Sequence, residues 1–152
     1  MDGFYGQFNV NIDPGGRLAL PAKIRPRGES GIEEMVLTKG LDGCLALYTA
    51  SEWRAFQSQL DTLSFTQKDF RFLTRFMYSM ISPVELDRQG RFLIPSTLLR
   101  EAELKREALV LGAYRWIEIW NPENYSHFMK QFGGTYEEVA ERLFRNGHNE
   151  RG

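Results

Sequence analysis

The pattern Asp-x-x-Gly-Arg-x-x-x-Pro occurs twice in this chain, and that recurrence restricts its fold more than any other feature. The first copy runs from Asp13 through Gly15, Gly16 and Arg17 to Pro21; the second runs from Asp87 through Gly90 and Arg91 to Pro95. Each follows an alternating segment and precedes a possible short helix. A recurring unit has to be explained as one supersecondary structure used twice. The likeness continues beyond the motif. With Gly40 set against Gly112, Leu45, Leu47 and Tyr48 fall on Ile117, Ile119 and Trp120, and Trp53, Phe56 and Leu60 fall on Tyr125, Phe128 and Phe132. Gly40 lies 27 positions after Asp13 (40 − 13), whereas Gly112 lies 25 after Asp87 (112 − 87), which places a two-residue deletion in a connecting turn. The chain is an internal duplication.

The local patterns give each copy the order β-β-short α-β-β. Phe8, Val10 and Ile12 alternate with Asn9, Asn11 and Asp13, the period of a half-buried strand. Gly15-Gly16 supplies the freedom for a tight turn into a strand over Arg17 to Leu20, and Pro21 starts a brief helical turn that ends by Pro26 and Gly28. Met35 to Thr38 and Cys44 to Tyr48 read as further strands. The second copy repeats them as Pro83 to Leu86, Arg91 to Ile94, a helix near Ser96 to Glu103, then Ala108 to Leu111 and Trp116 to Trp120.

Each copy closes with a longer helix. Thr49 and Glu52 predict a capping box for one, and Asn121 with Pro122 at the first helical position predicts the start of the other. Between the copies, Thr66 to Met80 carries a helical stripe of Phe70, Leu73, Phe76, Met77 and Met80, expected to pack in the core or against another helix. A last helix is expected from Thr135 to Arg145, capped by Thr135 and Glu138, with a frayed tail from Gly147. The boundaries that follow are 7–50 for the first repeat, 51–80 for connecting helices, 81–124 for the second repeat and 125–152 for C-terminal helices and tail.

A unit of about 50 residues buries too little apolar surface to be comfortably stable alone. The 152 residues are therefore expected to interlock as two units around one core. With 42% hydrophobic and 26% charged residues the composition is that of an ordinary globular protein. No apolar run approaches the ~18–20 residues that span a bilayer, and the N-terminus lacks the basic start and apolar core of a signal peptide. The single cysteine, Cys44, permits no internal disulfide, suits a reducing cytoplasm, and reads as a buried strand residue.

The residues for catalysis are missing. His127 and His148 have no partner at metal-ligand spacing, no Gly-x-Ser-x-Gly elbow occurs, and Gly15-Gly16 is too short for a P-loop. No enzyme activity, metal or cofactor is expected. Asp13 and Asp87 read as turn formers, their carboxylates accepting backbone N–H groups. Arg17 and Arg91 admit two readings. Each closes its hairpin by pairing with the aspartate four residues earlier, or each projects toward phosphate or a guanine edge, where a planar bidentate donor is useful.

The net charge of −1 gives no overall attraction to nucleic acid, but its distribution does. From Pro14 to Gly28 stand Arg17, Lys23, Arg25 and Arg27 and no acid, a local patch able to attract phosphate. In the second copy Arg88 and Arg100 are accompanied by Glu101 and Glu103, so the first copy is expected to be the main contact surface.

With both motifs and the duplicated order in place, the chain resembles the MraZ family, the duplicated branch of the AbrB-like transcription regulators. The resemblance covers Asn9 to about Leu143, and the paired Asp-x-x-Gly-Arg motif is its most specific part. It implies a mainly β, α+β fold: a swapped-hairpin AbrB-like β-barrel with peripheral helices. It also implies sequence-specific binding of double-stranded DNA in the cytoplasm and nucleoid. The implied target is a set of direct repeats upstream of the protein's own cell-division and cell-wall gene cluster, bound and often repressed by a ring-like homo-oligomer with no role at a membrane. The family's DNA-contact arginine carries over to Arg17 and to Arg91. The alternative is an oligomeric scaffold or regulator working through protein contacts, its arginine loops serving only to close hairpins.

Overall fold

A computed structural model describes residues 2–26 and 33–151, with side chains described as far as Asn146. Arg27, expected in the basic patch, lies outside the described residues. The first half contributes β1 (Gln7–Asn11), β2 (Arg17–Ala19), β3 (Glu33–Lys39) and β4 (Leu45–Thr49), followed by the helices α1 (Ala50–Leu60) and α2 (Lys68–Tyr78). The second contributes β5 (Ser82–Leu86), β6 (Arg91–Leu93), α3 (Ser96–Glu101), β7 (Glu107–Gly112) and β8 (Ile117–Trp120), then α4 (Pro122–Gln131) and α5 (Tyr136–Arg151).

The order of strands explains why neither half is complete. Six of them form one antiparallel sheet in the order β1-β7-β8-β4-β3-β5, and β2 pairs with β6 in a separate two-stranded ribbon. The first strand of each half thus lies on the third strand of the other: Phe8 faces Val110 in β1–β7, and Val84 faces Met35 in β5–β3. The halves meet again at the middle of the sheet, where Leu45 of β4 faces Ile119 of β8. The sheet ends at β1 and β5, and the ribbon, in contact with both, packs on the same apolar cluster.

Alternation decides what that cluster contains. In β2 and β6 only the middle residues, Leu18 and Phe92, turn inward, and Leu20 and Ile94 follow them into the core. They meet Leu37, Leu45, Leu47, Val110, Ile117 and Ile119, all fully buried on the sheet. At about 25 cal/mol per Å² of apolar surface, this shared core supplies the burial that one half lacks.

Several local expectations need adjustment. Thr49 caps α1 by accepting from the Glu52 N–H at 3.2 Å, but the Glu52 carboxylate turns to Arg115 at 3.4 Å and does not complete a capping box. Asn121 caps α4 through bonds from the Glu123 and Asn124 amides, with Pro122 at the start. The short helix expected in both halves is α3 in the second and only a turn over Ala22–Ile24 in the first. The stripe between the two copies is mostly covered: Met77 is buried, Phe70, Leu73 and Met80 are half-buried and Phe76 is only partly exposed, while Phe72, which is not part of that stripe, stands exposed on α2. On α4 and after it, Phe132 is exposed, unlike its counterpart Leu60. The last helix continues past Arg145 to Arg151.

Candidate nucleic-acid interface

The two motif loops have the same construction. Asp13 Oδ1 accepts the Arg17 N–H at 2.8 Å, and the Asp13 carbonyl accepts the Gly16 N–H at 2.9 Å. Asp87 Oδ1 accepts the Gln89 and Arg91 N–H groups, each at 2.9 Å, and its carbonyl accepts the Gly90 N–H at 2.9 Å. Gly16 and Gly90 adopt φ of 87° and 76°, the left-handed region that glycine occupies without a Cβ penalty. Gly15 carries no such requirement, and its counterpart is Gln89.

Each motif glycine also lies beneath the other half. A Cβ on Gly16 would stand 3.2 Å from the Ile94 carbonyl oxygen and 3.4 Å from Leu99, and one on Gly90 would stand 2.9 Å from the Leu20 carbonyl oxygen and strike the Arg25 guanidinium. The Gly16 carbonyl accepts the Ile94 N–H and the Gly90 carbonyl accepts the Leu20 N–H, both at 2.9 Å. The turns therefore knit the halves together as well as shaping their own hairpins.

The ribbon that results sets both motif arginines on one surface. In the β2–β6 register Arg17 faces Leu93 and Ala19 faces Arg91, so Arg17 and Arg91 are diagonal neighbours on the exposed face, opposite Leu18 and Phe92. Diagonal pairs on antiparallel strands are ~7–8 Å apart. The two guanidinium groups are held differently. Arg91 Nε bonds Asp87 Oδ2 at 3.0 Å, and Nη2 reaches Gln89 at 3.4 Å; Arg17 has no ion-pair partner among the described residues. The backbone N–H of Arg91, aided by its guanidinium and by the Gln89 N–H, holds the Asp87 carboxyl below the usual carboxylate range.

The other basic residues divide. Lys23 is exposed in the turn after Pro21. Arg25 is committed within the protein: Nε and Nη2 donate to the Leu20 carbonyl at 3.3 and 2.8 Å, and Nη1 donates to the Arg88 carbonyl at 3.1 Å. It lies across Gly90, at the place where the second half has Leu99 over Gly16. Lys105 and Arg106, which reading each half separately passes over, stand beside the first loop. The Ile12 N–H donates to the Arg106 carbonyl at 2.7 Å, and both residues line a cavity of about 670 Å³ with Asp13, Pro14 and Gly16. The signal that finds them is the cross-half pairing of β1 with β7. The acids thought to weaken the second half's field are occupied: Glu101 pairs with Lys39 at 3.0 Å, and Glu103 accepts from Asn124.

No group of three or more metal-ligating side chains occurs among the described residues, and no described helix is long and apolar enough to cross a membrane. Cys44 is buried, and that burial, with the nearby Glu118 charge, pushes its thiol up to about 12, so it is not a nucleophile at neutral pH.

These features define a class: an internally duplicated α+β protein whose halves exchange strands and jointly build one arginine-bearing ribbon. The chain belongs to the MraZ family, whose family description, MraZ protein, matches residues 4–76 and again 77–146. It is 42% identical over 140 residues to a protein of Heliobacterium modesticaldum, covering 92% of this chain and 96% of that one. Identity is again 42% over 140 residues with a protein of Pelotomaculum thermopropionicum, covering 92% and 94%. With one of Lactiplantibacillus plantarum it is 39% over 140 residues, covering 92% and 97%. All three relatives bear the name transcriptional regulator MraZ.

Proposed function

We propose that this protein is a transcription regulator that binds double-stranded DNA through the β2–β6 ribbon. The observation that carries this reading is the placement of Arg17 and Arg91, one from each half, on a single exposed face of a two-stranded ribbon. A ribbon of that width enters the major groove, and arginine is the side chain best matched to a guanine edge or a phosphate. Arg17 and Arg91 contact base edges or flanking phosphates, and Lys23, Lys105 and Arg106 fix the register on the backbone. Arg25, with Arg27 its expected companion, belongs to the same basic segment, but Arg25 acts mainly by holding the ribbon in shape.

One protomer offers few contacts, so occupancy depends on several protomers engaging successive direct repeats, spaced by about one helical turn of DNA or a small multiple. The expected site of action is the cytoplasm and nucleoid, at repeats upstream of the protein's own cell-division and cell-wall cluster, with repression as the outcome. The uncovered face of α2, with Phe72 at 68% exposure and Phe76 at 37%, is a surface suited to the homo-oligomer. The same face supports the scaffold reading, in which protein contact is the whole function.

Fluorescence anisotropy on the native upstream duplex and a scrambled one, across a salt series, separates the two. A regulator binds the native duplex more tightly, with a log–log salt slope of about −0.9 per phosphate neutralised. Equal, weak binding to both duplexes leaves the scaffold.

A further inference from the structure

On the outer face of the sheet, away from the ribbon, the duplication has produced two related cavities that differ in charge. One, of about 580 Å³, is walled by Tyr48, Phe56 and Trp116 and carries Glu118, Glu52 and Arg115 at its margin. On that wall the Tyr48 ring lies between the other two, with ring centroids 5.9 Å from Phe56 and 6.1 Å from Trp116. The other, of about 480 Å³, is its counterpart in the second half: Trp120 replaces Tyr48, Asn124 replaces Glu52, His127 replaces Ala55 and Phe128 replaces Phe56.

Glu118 distinguishes the first cavity. Its two carboxylate oxygens each accept an indole N–H at 2.9 Å, from Trp120 and from Trp116, and it has no cationic partner among the described residues. A half-buried carboxylate with only neutral donors around it favours a cation, and aromatic faces offer the negative side of their quadrupoles to the same charge. The one cation at the cavity, Arg115, is drawn aside: it reaches Glu52 at 3.4 Å and lies 4.4 Å over the Tyr114 ring. With Asp42 also on the lining, acids outnumber bases.

We propose that this cavity binds a small quaternary ammonium compound. Three rings contact such a head group without having to satisfy N–H donors, whereas a primary ammonium needs acceptors that Glu118 has already committed in part to the indoles. A volume of this size accommodates a small ligand of that kind. The site is independent of the DNA-binding reading.

Choline and its uncharged isostere 3,3-dimethylbutan-1-ol test it on the full-length protein, by ligand-observed NMR of the methyl resonance. Choline is expected to bind saturably, its methyl signal moving upfield under the ring currents, with the neutral isostere weaker by about tenfold or more, the ~1.4 kcal/mol of a desolvated cation–π contact. Glu118→Gln is expected to weaken choline by a similar factor. Arg115→Gln, which removes the competing cation from an exposed position, is expected to tighten it several-fold, and His127→Ala in the second cavity to leave it unchanged. Absence of saturable choline binding overturns the proposal, as does equal affinity for the isostere. Should Glu118→Gln fail to fold, an Arg115→Gln variant that binds choline no more tightly than the parent overturns it as well.

Discussion

At the scale of single residues, the two motif glycines and their aspartates make separable demands. Gly90→Ala meets a left-handed φ, the Leu20 carbonyl and the Arg25 guanidinium together, so a loss of about 1–3 kcal/mol is expected. Gly15→Ala has ordinary backbone and meets only the movable Arg17 guanidinium at 3.1 Å and the Asp13 carboxylate at an ordinary contact distance of 3.4 Å, and is expected to stay within about 0.5 kcal/mol. Urea unfolding at fixed protein concentration distinguishes them. Asp87 makes a pH prediction of definite sign. Its folded-state carboxyl is depressed, so the stabilisation it provides is complete above the ordinary carboxylate range and fades as pH falls through the depressed value. Side-chain carboxyl NMR should place its titration below that range, and Asp87→Asn should flatten the acid limb of the stability curve. Much at this scale was legible in advance. An aspartate before a glycine turn has few things to do other than accept backbone N–H groups, whatever the rest of the chain does. Arg25 was not legible, because its carbonyl partner on Arg88 comes from the other half.

At the scale of elements, periodicity located nearly every strand and helix, since burial on one face leaves its period in the sequence. It could not place an apolar residue that lies off the stripe. The stripe of Phe70, Leu73, Phe76, Met77 and Met80 is mostly covered as its spacing predicts, but Phe72, outside that spacing, is exposed and stacks on Phe76 at 6.0 Å. If this face joins protomers, Phe72→Glu should lower the oligomeric mass measured by multi-angle light scattering while leaving the circular dichroism spectrum intact. Binding to DNA with several repeats should then fall more than binding to a single repeat. An unchanged mass would assign the face to some other contact. Arg25→Ala acts on a different element, the ribbon. With the Leu20 and Arg88 carbonyls losing a charged donor, it should cost about 1.5–3 kcal/mol of stability.

At the scale of the whole molecule, the exchange of strands governs both folding and the candidate site. A half shorn of its partner loses the neighbours of its first and third strands, and fragments 1–80 and 81–152 should each lack a cooperative unfolding transition while regaining one when mixed. The duplication was visible in the sequence from the paired motif, and the need for a shared core from the size of each unit. Charge placement was not. Tallying bases and acids along each half passes over Lys105 and Arg106, whereas pairing of β1 with β7 sets them beside the first motif loop. Antiparallel pairing of β2 with β6 likewise makes two arginines from distant positions into one surface. The most direct test of that surface is the affinity of Arg17→Ala and Arg91→Ala, each shown folded by circular dichroism, for the native upstream duplex by fluorescence anisotropy. The shared ribbon predicts that both substitutions weaken binding, by about 1–3 kcal/mol for an arginine at a base edge. Native-duplex affinity unchanged in both folded variants would contradict it.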